Sequence, residues 1–213
     1  MVDPWVTLTQ PLAEVALDTT GVFGGTLLAL TQNGQIWKIT ASGSTSLLAT
    51  GITMAPGSDG NLLVVPNNPT LYGTALAGKL VVVQDKLQAV TVSTTGVVTT
   101  LTTAGLNNVE GISIVPAAAN FFAFADSDPN ISVAPGSVFA PIIGQIVTAH
   151  EGGSFDRVYY DSGSQSLVTS ALPFTADSIS MKQWEQLAFL PWRLVRWPHP
   201  SSRGCPTGPS TWT

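Results

Sequence analysis

Short apolar runs recur in a fixed order along the chain. Three of them begin with a glycine and continue with aliphatic residues: Gly25-Thr-Leu-Leu-Ala-Leu-Thr, Gly78-Lys-Leu-Val-Val-Val-Gln and Gly144-Gln-Ile-Val-Thr-Ala-His. Three further kinds of run follow each of these in the same order. The second runs are Gln35–Thr40, Leu87–Val92 and Asp156–Asp161, the third are Ser46–Thr50, Val97–Leu101 and Leu167–Leu172, and the fourth are Gly51–Pro56, Gly111–Pro116 and Gln186–Pro191. This order predicts a structural unit that is repeated three times.

The runs are five to seven residues long and are separated by Gly, Asn, Asp and Pro, a pattern that predicts many short β-strands. The Asn33-Gly34 pair predicts a tight two-residue hairpin turn, because both residues tolerate positive φ. Runs such as Leu27–Thr31 are almost continuously apolar, which indicates strands that are buried on both faces. Such strands favour sheets that stack face to face, as in a β-propeller.

Two insertions interrupt the repeats, at Asn67–Ala77 and at Asp126–Ile143. They are interpreted either as short blades or as long excursions between strands. The spacings between Gly25, Gly78 and Gly144 exceed the ~40 to 45 residues of a four-stranded blade. The sequence therefore leaves the number of blades open, between three large blades and five uneven ones.

The composition fits a folded domain with little surface charge. Of the 213 residues, 44% are hydrophobic and only 10% are charged, against roughly 25% charged residues in ordinary soluble domains. The surface is therefore expected to consist of Thr, Ser, Asn, Gln and Gly, which favours an extracytoplasmic or secreted protein. The net charge of −5 and the scattered Lys and Arg residues argue against nucleic acid as a partner.

The two ends of the chain differ from the repeats. The N-terminal residues lack the basic and apolar segments of a signal peptide, and no apolar run approaches the ~20 residues of a membrane-spanning helix. We expect residues 13–191 to form the propeller-like domain. Residues 192–213, which include the single cysteine Cys205, are expected to form an irregular tail.

The stretch from Gly51 to Asn68, GITMAPGSDGNLLVVPNN, resembles the repeat of the NHL and gluconolactonase-like six-bladed propellers, as does Gly96–Leu106, GVVTTLTTAGL. The resemblance extends over about Ala13–Pro191. It implies an all-β propeller of short antiparallel strands, here an incomplete one. It also implies a ring-closing strand from one terminus, for which Pro4–Gln10 is the candidate.

Three of the four glutamates precede an apolar run in matching positions: Glu14, Glu110 and Glu185. In a propeller these carboxylates would converge on the axis and form a site for a divalent cation such as calcium or magnesium, which prefer oxygen ligands. The resemblance implies that Glu110, followed by Gly111, is a metal ligand. The alternative is that the three glutamates lie at the rim and face solvent.

Three weaker candidates have ordinary structural alternatives. His150 and Glu151 are considered as an acid/base pair, although adjacent strand residues point to opposite faces. Asp126–Asn130 offers alternating oxygens for calcium but lacks the glycine and glutamate of an EF-hand loop. The side chains of Trp37, Arg157, Tyr159 and Tyr160 are considered as a sugar- or peptide-binding surface or, alternatively, as packing between blades.

The sequence thus predicts a recognition or scaffold module whose ligand is a protein, a peptide or a carbohydrate, with no cofactor required. One alternative is a metal-dependent hydrolase of the lactonase type, with Glu110 as a ligand and Glu14 or Glu185 assisting. Another is a nonfunctional fragment of a longer propeller protein.

Overall fold

The computed structural model describes residues 5–55, 60–84, 87–102, 106, 108–125, 128–150, 154–172 and 184–191. The strands are numbered in chain order and form four antiparallel sheets. Sheet A contains β1 (Leu12–Leu17), β2 (Leu27–Thr31), β3 (Ile36–Ile39) and β4 (Thr45–Ala49), and sheet B contains β5 (Gly60–Val64), β6 (Leu80–Gln84), β7 (Val90–Val92) and β8 (Val98–Thr100). Sheet C contains β9 (Val109–Ile114), β12 (Ile146–His150), β13 (Phe155–Asp161) and β14 (Ser166–Ala171), and sheet D contains β10 (Ala119–Ala125), β11 (Asp128–Ala134) and β15 (Trp184–Pro191).

The four sheets are arranged in the manner of a four-bladed β-propeller, which confirms the predicted fold class. Their innermost strands contact one another in the series β1, β5, β9 and β15. From its inner strand, each of sheets A, B and C continues outward through the first, second and third kinds of run, in that order. Gly25, Gly78 and Gly144, which precede the second strands, all have positive φ, at 68°, 67° and 82°. These glycines therefore allow the same turn in all three repeats.

The structure corrects the alignment of the fourth run. Gly111–Ile114 belongs to the inner strand β9, whereas the described part of its proposed counterpart, residues 51–55, forms no strand and links sheet A to sheet B. The true counterpart is Asn61–Pro66. Two equivalent backbone hydrogen bonds show this, from Val65 N to the Lys79 oxygen and from Val115 N to the Gln145 oxygen, both 2.9 Å long.

The two insertions take different forms. The first contains the helix α1 (Pro69–Leu76), which is capped by the side chain of Asn68 and is interrupted at Gly73. The second contributes the hairpin of β10 and β11 and then a 3₁₀ helix at Gly136–Ile142. Because β10 pairs with β15, this hairpin and β15 together form the fourth sheet.

The turn at Asn33-Gly34 is longer than predicted. Thr31 N donates to the Gln35 oxygen and Gly34 N donates to the Thr31 oxygen, which defines a three-residue loop. Only Gly34 has positive φ, while Asn33 accepts a hydrogen bond from the Thr31 hydroxyl at 2.6 Å. A Cβ atom on Gly34 would overlap the carbonyl oxygen of Ile52, so the glycine also makes room for the linker to sheet B.

Apolar clusters fill the three junctions between neighbouring sheets. Leu28, Leu30 and Ile36 of sheet A pack against sheet B, and Val81 of sheet B packs near Ile146 and Val158 of sheet C. At the junction of sheets C and D, Phe121 lies at ring-centroid distances of 5.0 to 5.4 Å from three of the described phenylalanines, Phe139, Phe155 and Phe189. Burial of these side chains supplies the main stabilisation of the array.

Sheet A is the first sheet of the series, and one of its faces is not covered by sheet B. Its Val15, Leu17 and Leu47 are 43%, 61% and 47% exposed. Residues 5–10, which include most of the candidate ring-closing segment, form no strand. All of them except Thr9 line a groove of about 410 Å³ on this face. Within the described residues, no helix has the length and apolar character needed to span a bilayer.

Candidate functional site

The first halves of the inner strands β5, β9 and β15 contact their neighbours at the same end of the strands. The side-chain amide of Asn61 on β5 donates to the backbone oxygen of Glu110 on β9, at 2.8 Å. Next to it, a Cβ atom on Gly111 would lie 3.0 Å from the backbone nitrogen of Leu187 on β15. The Glu-Gly pair therefore has a structural reason, because the glycine permits the close approach of sheets C and D.

The three predicted metal ligands occupy related but unequal positions. Glu110 lies at a register irregularity between Val109 and Gly111, and Glu185 lies at the corresponding irregularity of β15. In β1 that position belongs to Ala13, and Glu14 follows it. The Glu110 residue is only 8% exposed, whereas Glu14 accepts a hydrogen bond from Val15 N at an exposed position.

The convergence of the three carboxylates stays a prediction, because the side chain of Glu185 lies outside the described residues. Among the residues that are described, no group of three His, Cys, Asp or Glu side chains could hold a metal ion. Asn61, whose position in the repeat matches that of Glu14, is a polar residue of this end that sequence reasoning missed.

His150 and Gln84 are buried polar residues at the ends of equivalent second strands. The Gln84 side chain donates to the Thr53 oxygen at 2.9 Å and accepts from Ala55 N at 3.4 Å. The Nδ1 atom of His150 lies 3.1 Å from the Asn108 oxygen. Each side chain therefore holds the linker that leads into the inner strand of its own sheet.

The other ring nitrogen of His150 contacts its own sheet. Its Nε2 atom lies 3.0 Å from the Thr148 hydroxyl and 3.3 Å from a carboxylate oxygen of Asp156. The suggested partner Glu151 lies outside the described residues. The observed neighbour of the histidine is thus Asp156, and both ring nitrogens take part in structural contacts.

The four aromatic and cationic residues suggested as one surface are divided among different places. Arg157 lies over the ring of Tyr159, with its Cζ atom 4.9 Å from the ring centroid. Trp37 is on sheet A and donates to the side chain of Gln35 at 3.2 Å. Tyr160 alone lines a large cleft, on the side of sheet C that faces sheet B.

This cleft, which we call the B–C cleft, opens between the outer strands of sheets B and C and has a volume of about 730 Å³. Apolar side chains such as Val81, Val109 and Ile146 fill the space between the two sheets, and the cleft opens farther out, where residues of β7, β8, β13 and β14 line it. Of the described residues, six threonines line the opening: Thr74, Thr91, Thr99, Thr100, Thr102 and Thr169. Tyr160, Ser166, Gln165 and Lys79 add further polar groups.

Strand register explains why these hydroxyl groups face each other. Thr91 pairs with Val81 and Thr99 pairs with Thr91, so both threonines lie on the face of sheet B that carries the buried Val81. On sheet C, Thr169 pairs with Val158, whose side chain belongs to the same apolar cluster. On each of the two facing sheets, the threonines therefore lie on the same face as the buried apolar side chains, at positions farther from the inner strand.

The remaining predicted features fall largely outside the described residues. Residues 126 and 127 of the suggested calcium loop are not described, while residues 128–130 begin β11. The tail at 192–213 is likewise outside.

No protein-family model matches the chain, and a search of curated proteins found no match either.

Proposed function

We propose that the chain is a recognition module of the β-propeller type that binds its ligand in the B–C cleft. The observation that carries this proposal is the cleft itself, whose volume of about 730 Å³ falls within the ~300 to 1,000 Å³ of small-ligand sites. Its walls come mainly from strands of two packed sheets. Such walls hold binding groups in place with little loss of entropy on binding.

The low charge of the chain supports a place for this module outside the cytoplasm. Because only 10% of the residues are charged, most polar groups of the surface are hydroxyl and amide groups. The described lining of the cleft is likewise rich in hydroxyl groups. Hydroxyl groups both donate and accept hydrogen bonds, so the cleft suits a polar ligand. We therefore favour a carbohydrate or peptide ligand over a metabolite with several charges.

The proposal is tested with arrays of oligosaccharides and peptides, probed with the wild-type chain and with two variants. Thr99→Arg places a long side chain in the cleft, whereas Thr45→Arg makes the same change at an exposed position of β4. We expect ligands that bind the wild-type chain and Thr45→Arg to lose binding to Thr99→Arg. Ligands that bind all three proteins equally would contradict a role for the cleft.

A second candidate function is that of a metal-dependent hydrolase of the lactonase type. The specific observation in its favour is the hydrogen bond from the Asn61 amide to the backbone oxygen of Glu110, because it brings these two residues of neighbouring sheets into contact. Glu14 lies near the start of β1 and Glu185 near the start of β15. Under this hypothesis the site holds a divalent cation such as calcium through oxygen ligands, as the resemblance to gluconolactonase-like propellers implies.

Thermal unfolding with and without calcium separates the two candidates. A metal site formed by Glu110 predicts that millimolar calcium raises the melting temperature and that Glu110→Gln removes this effect, while Glu14→Gln reduces it. The recognition module alone predicts the same melting temperature with calcium and with magnesium or a chelator. A calcium effect that persists in Glu110→Gln would place any metal elsewhere.

A further inference from the structure

The B–C cleft contains a single charged group among the described residues that line it, the amine of Lys79. Lys79 precedes β6, at the end of the cleft where Thr74 and Ala75 of α1 also lie. The remaining described lining consists mainly of neutral hydroxyl groups. One cation within a neutral hydroxyl-rich cleft selects for ligands with one negative group and many hydroxyl groups.

The charge of the whole chain limits how acidic the ligand can be. The net charge of −5 repels polyanions, and at physiological salt this repulsion acts over about 8 Å. Lys79 offsets one negative charge locally but not a series of them. Highly sulfated or phosphorylated polymers are therefore disfavoured.

The aromatic ring of Tyr160 is held in a fixed position beside these groups. A Cβ atom on Gly73 would lie 2.5 Å from Cδ2 of the tyrosine ring, so the ring packs directly on the glycine backbone of α1. The ring is partly exposed and lines the cleft. A rigid aromatic ring next to hydroxyl groups offers apolar contact to the C–H face of a sugar ring and loses little entropy on binding.

We propose that the B–C cleft binds an oligosaccharide that carries one carboxylate, with the carboxylate against Lys79 and a sugar ring against Tyr160. This inference rests on the proposed recognition function and names its ligand class. A peptide is less suitable, because recognition of an extended peptide uses alternating pockets for side chains. The described cleft walls carry apolar groups mainly at Ala75, Leu101 and Leu167.

The test uses an array of oligosaccharides that each carry one uronic acid, paired with counterparts in which the carboxylate has been reduced to an alcohol. Lys79→Met removes the charge and keeps the aliphatic stem, and Lys38→Met makes the same change on sheet A. We expect the acidic ligand to bind at least tenfold more tightly than its reduced counterpart. Lys79→Met should abolish this difference, whereas Lys38→Met should retain it.

The hydroxyl contacts have their own variant pair. Thr99→Val removes a cleft hydroxyl and keeps the β-branched shape, and Thr45→Val is the matched change on the edge strand β4. We expect Thr99→Val to weaken binding of both sugars about three- to tenfold and Thr45→Val to leave it unchanged. Circular dichroism of each variant confirms that it is folded.

The outcomes separate this inference from the proposed function. If acidic and reduced sugars bind equally well in a manner that Thr99→Arg blocks, the role of the carboxylate is wrong and the recognition function stands. If only peptides bind in the cleft, the ligand class is wrong and the module again stands. If no sugar or peptide binds in a manner that Thr99→Arg blocks, both proposals are wrong.

Discussion

The carboxylate of Asp18 organises the loop between β1 and β2. This residue is 3% exposed, and one of its oxygens accepts hydrogen bonds from Phe23 N and Gly25 N, at 2.6 and 3.0 Å. The other oxygen accepts from the backbone and hydroxyl of Thr20 and from Gly21 N. Burial opposes ionisation, but the hydrogen bonds from Thr20, Gly25 and Phe23 outweigh it and lower the pKa of Asp18.

We predict that Asp18→Asn destabilises the chain at neutral pH. The new amide group faces backbone donors that it cannot satisfy, at a cost of about 1–3 kcal/mol for each unsatisfied donor. Denaturant unfolding at pH 7 measures the loss. Asp161→Asn is the control, because Asp161 makes similar contacts to Gly163 and Ser164 in an exposed turn, and we expect it to have little effect.

The same aspartate predicts an acid sensitivity. Because the pKa of Asp18 is lower in the folded chain than in the unfolded chain, its stabilisation is complete above the unfolded pKa, near 3.8. This stabilisation is lost as the pH falls through the folded pKa. Unfolding free energies between pH 6 and pH 2.5 should therefore fall less steeply in Asp18→Asn than in the wild-type chain, and equal slopes would contradict this role.

Gly73 combines an unusual backbone with a close contact. Its φ and ψ are 61° and 170°, a region that side chains other than glycine rarely adopt. We predict that Gly73→Ala costs about 1–3 kcal/mol for the backbone and, in addition, displaces the ring of Tyr160. Gly24→Ala is the matched control, because Gly24 has φ of 83° with no atom near the position of its Cβ. Chemical denaturation that shows equal losses would contradict the contact with Tyr160.

At the scale of elements, a buried side chain at the end of the second strand of sheets B and C holds the linker that leads into the inner strand of the same sheet. Gln84 is 1% exposed and bonds to Thr53 and Ala55 of the linker, in the position that His150 occupies in sheet C. The sequence shows that β6 and β12 end in the polar residues Gln84 and His150, but it does not show which linker groups these side chains contact. A linker has no periodic pattern from which its contacts could be predicted.

We predict that Gln84→Met lowers the unfolding free energy by about 1–3 kcal/mol. Methionine keeps the volume of the side chain but leaves the two linker groups without their hydrogen bonds. Gln32→Met, at an exposed position in the loop after β2, is the control and should change stability little. A loss in Gln84→Met no larger than in Gln32→Met, measured in urea, would show that the linker does not depend on this side chain.

The elements also show what local pattern can predict. The runs that became β2, β6 and β12 are recognisable because glycine, burial on both faces and strand length are local properties. The pairing of β10 with β15 could not be predicted, because it joins segments that are distant in the chain and that have no shared pattern. For the same reason, the sequence predicted an insertion at Asp126–Ile143 but did not show that β11, within it, forms a fourth sheet with β10 and β15.

At the scale of the whole molecule, the sequence indicated a propeller-like array but not four sheets. It suggested convergence of Glu14, Glu110 and Glu185 because they precede similar runs, and the structure places Glu110 and Glu185 at equivalent irregularities of their strands. The B–C cleft was not predicted, because its lining comes from strands and loops of two sheets. Only the strand register brings Thr99 and Thr169 to facing walls.

The central claim is that the inner strands of the four sheets lie side by side around one axis. Nuclear Overhauser contacts in the isotopically labelled chain test it most directly, at the junctions of sheets A–B, B–C and C–D. We predict contacts between Leu30 and Gly60, between the Asn61 amide and Glu110, and between Gly111 and Leu187. Contacts within each sheet without these three contacts between sheets would contradict the arrangement.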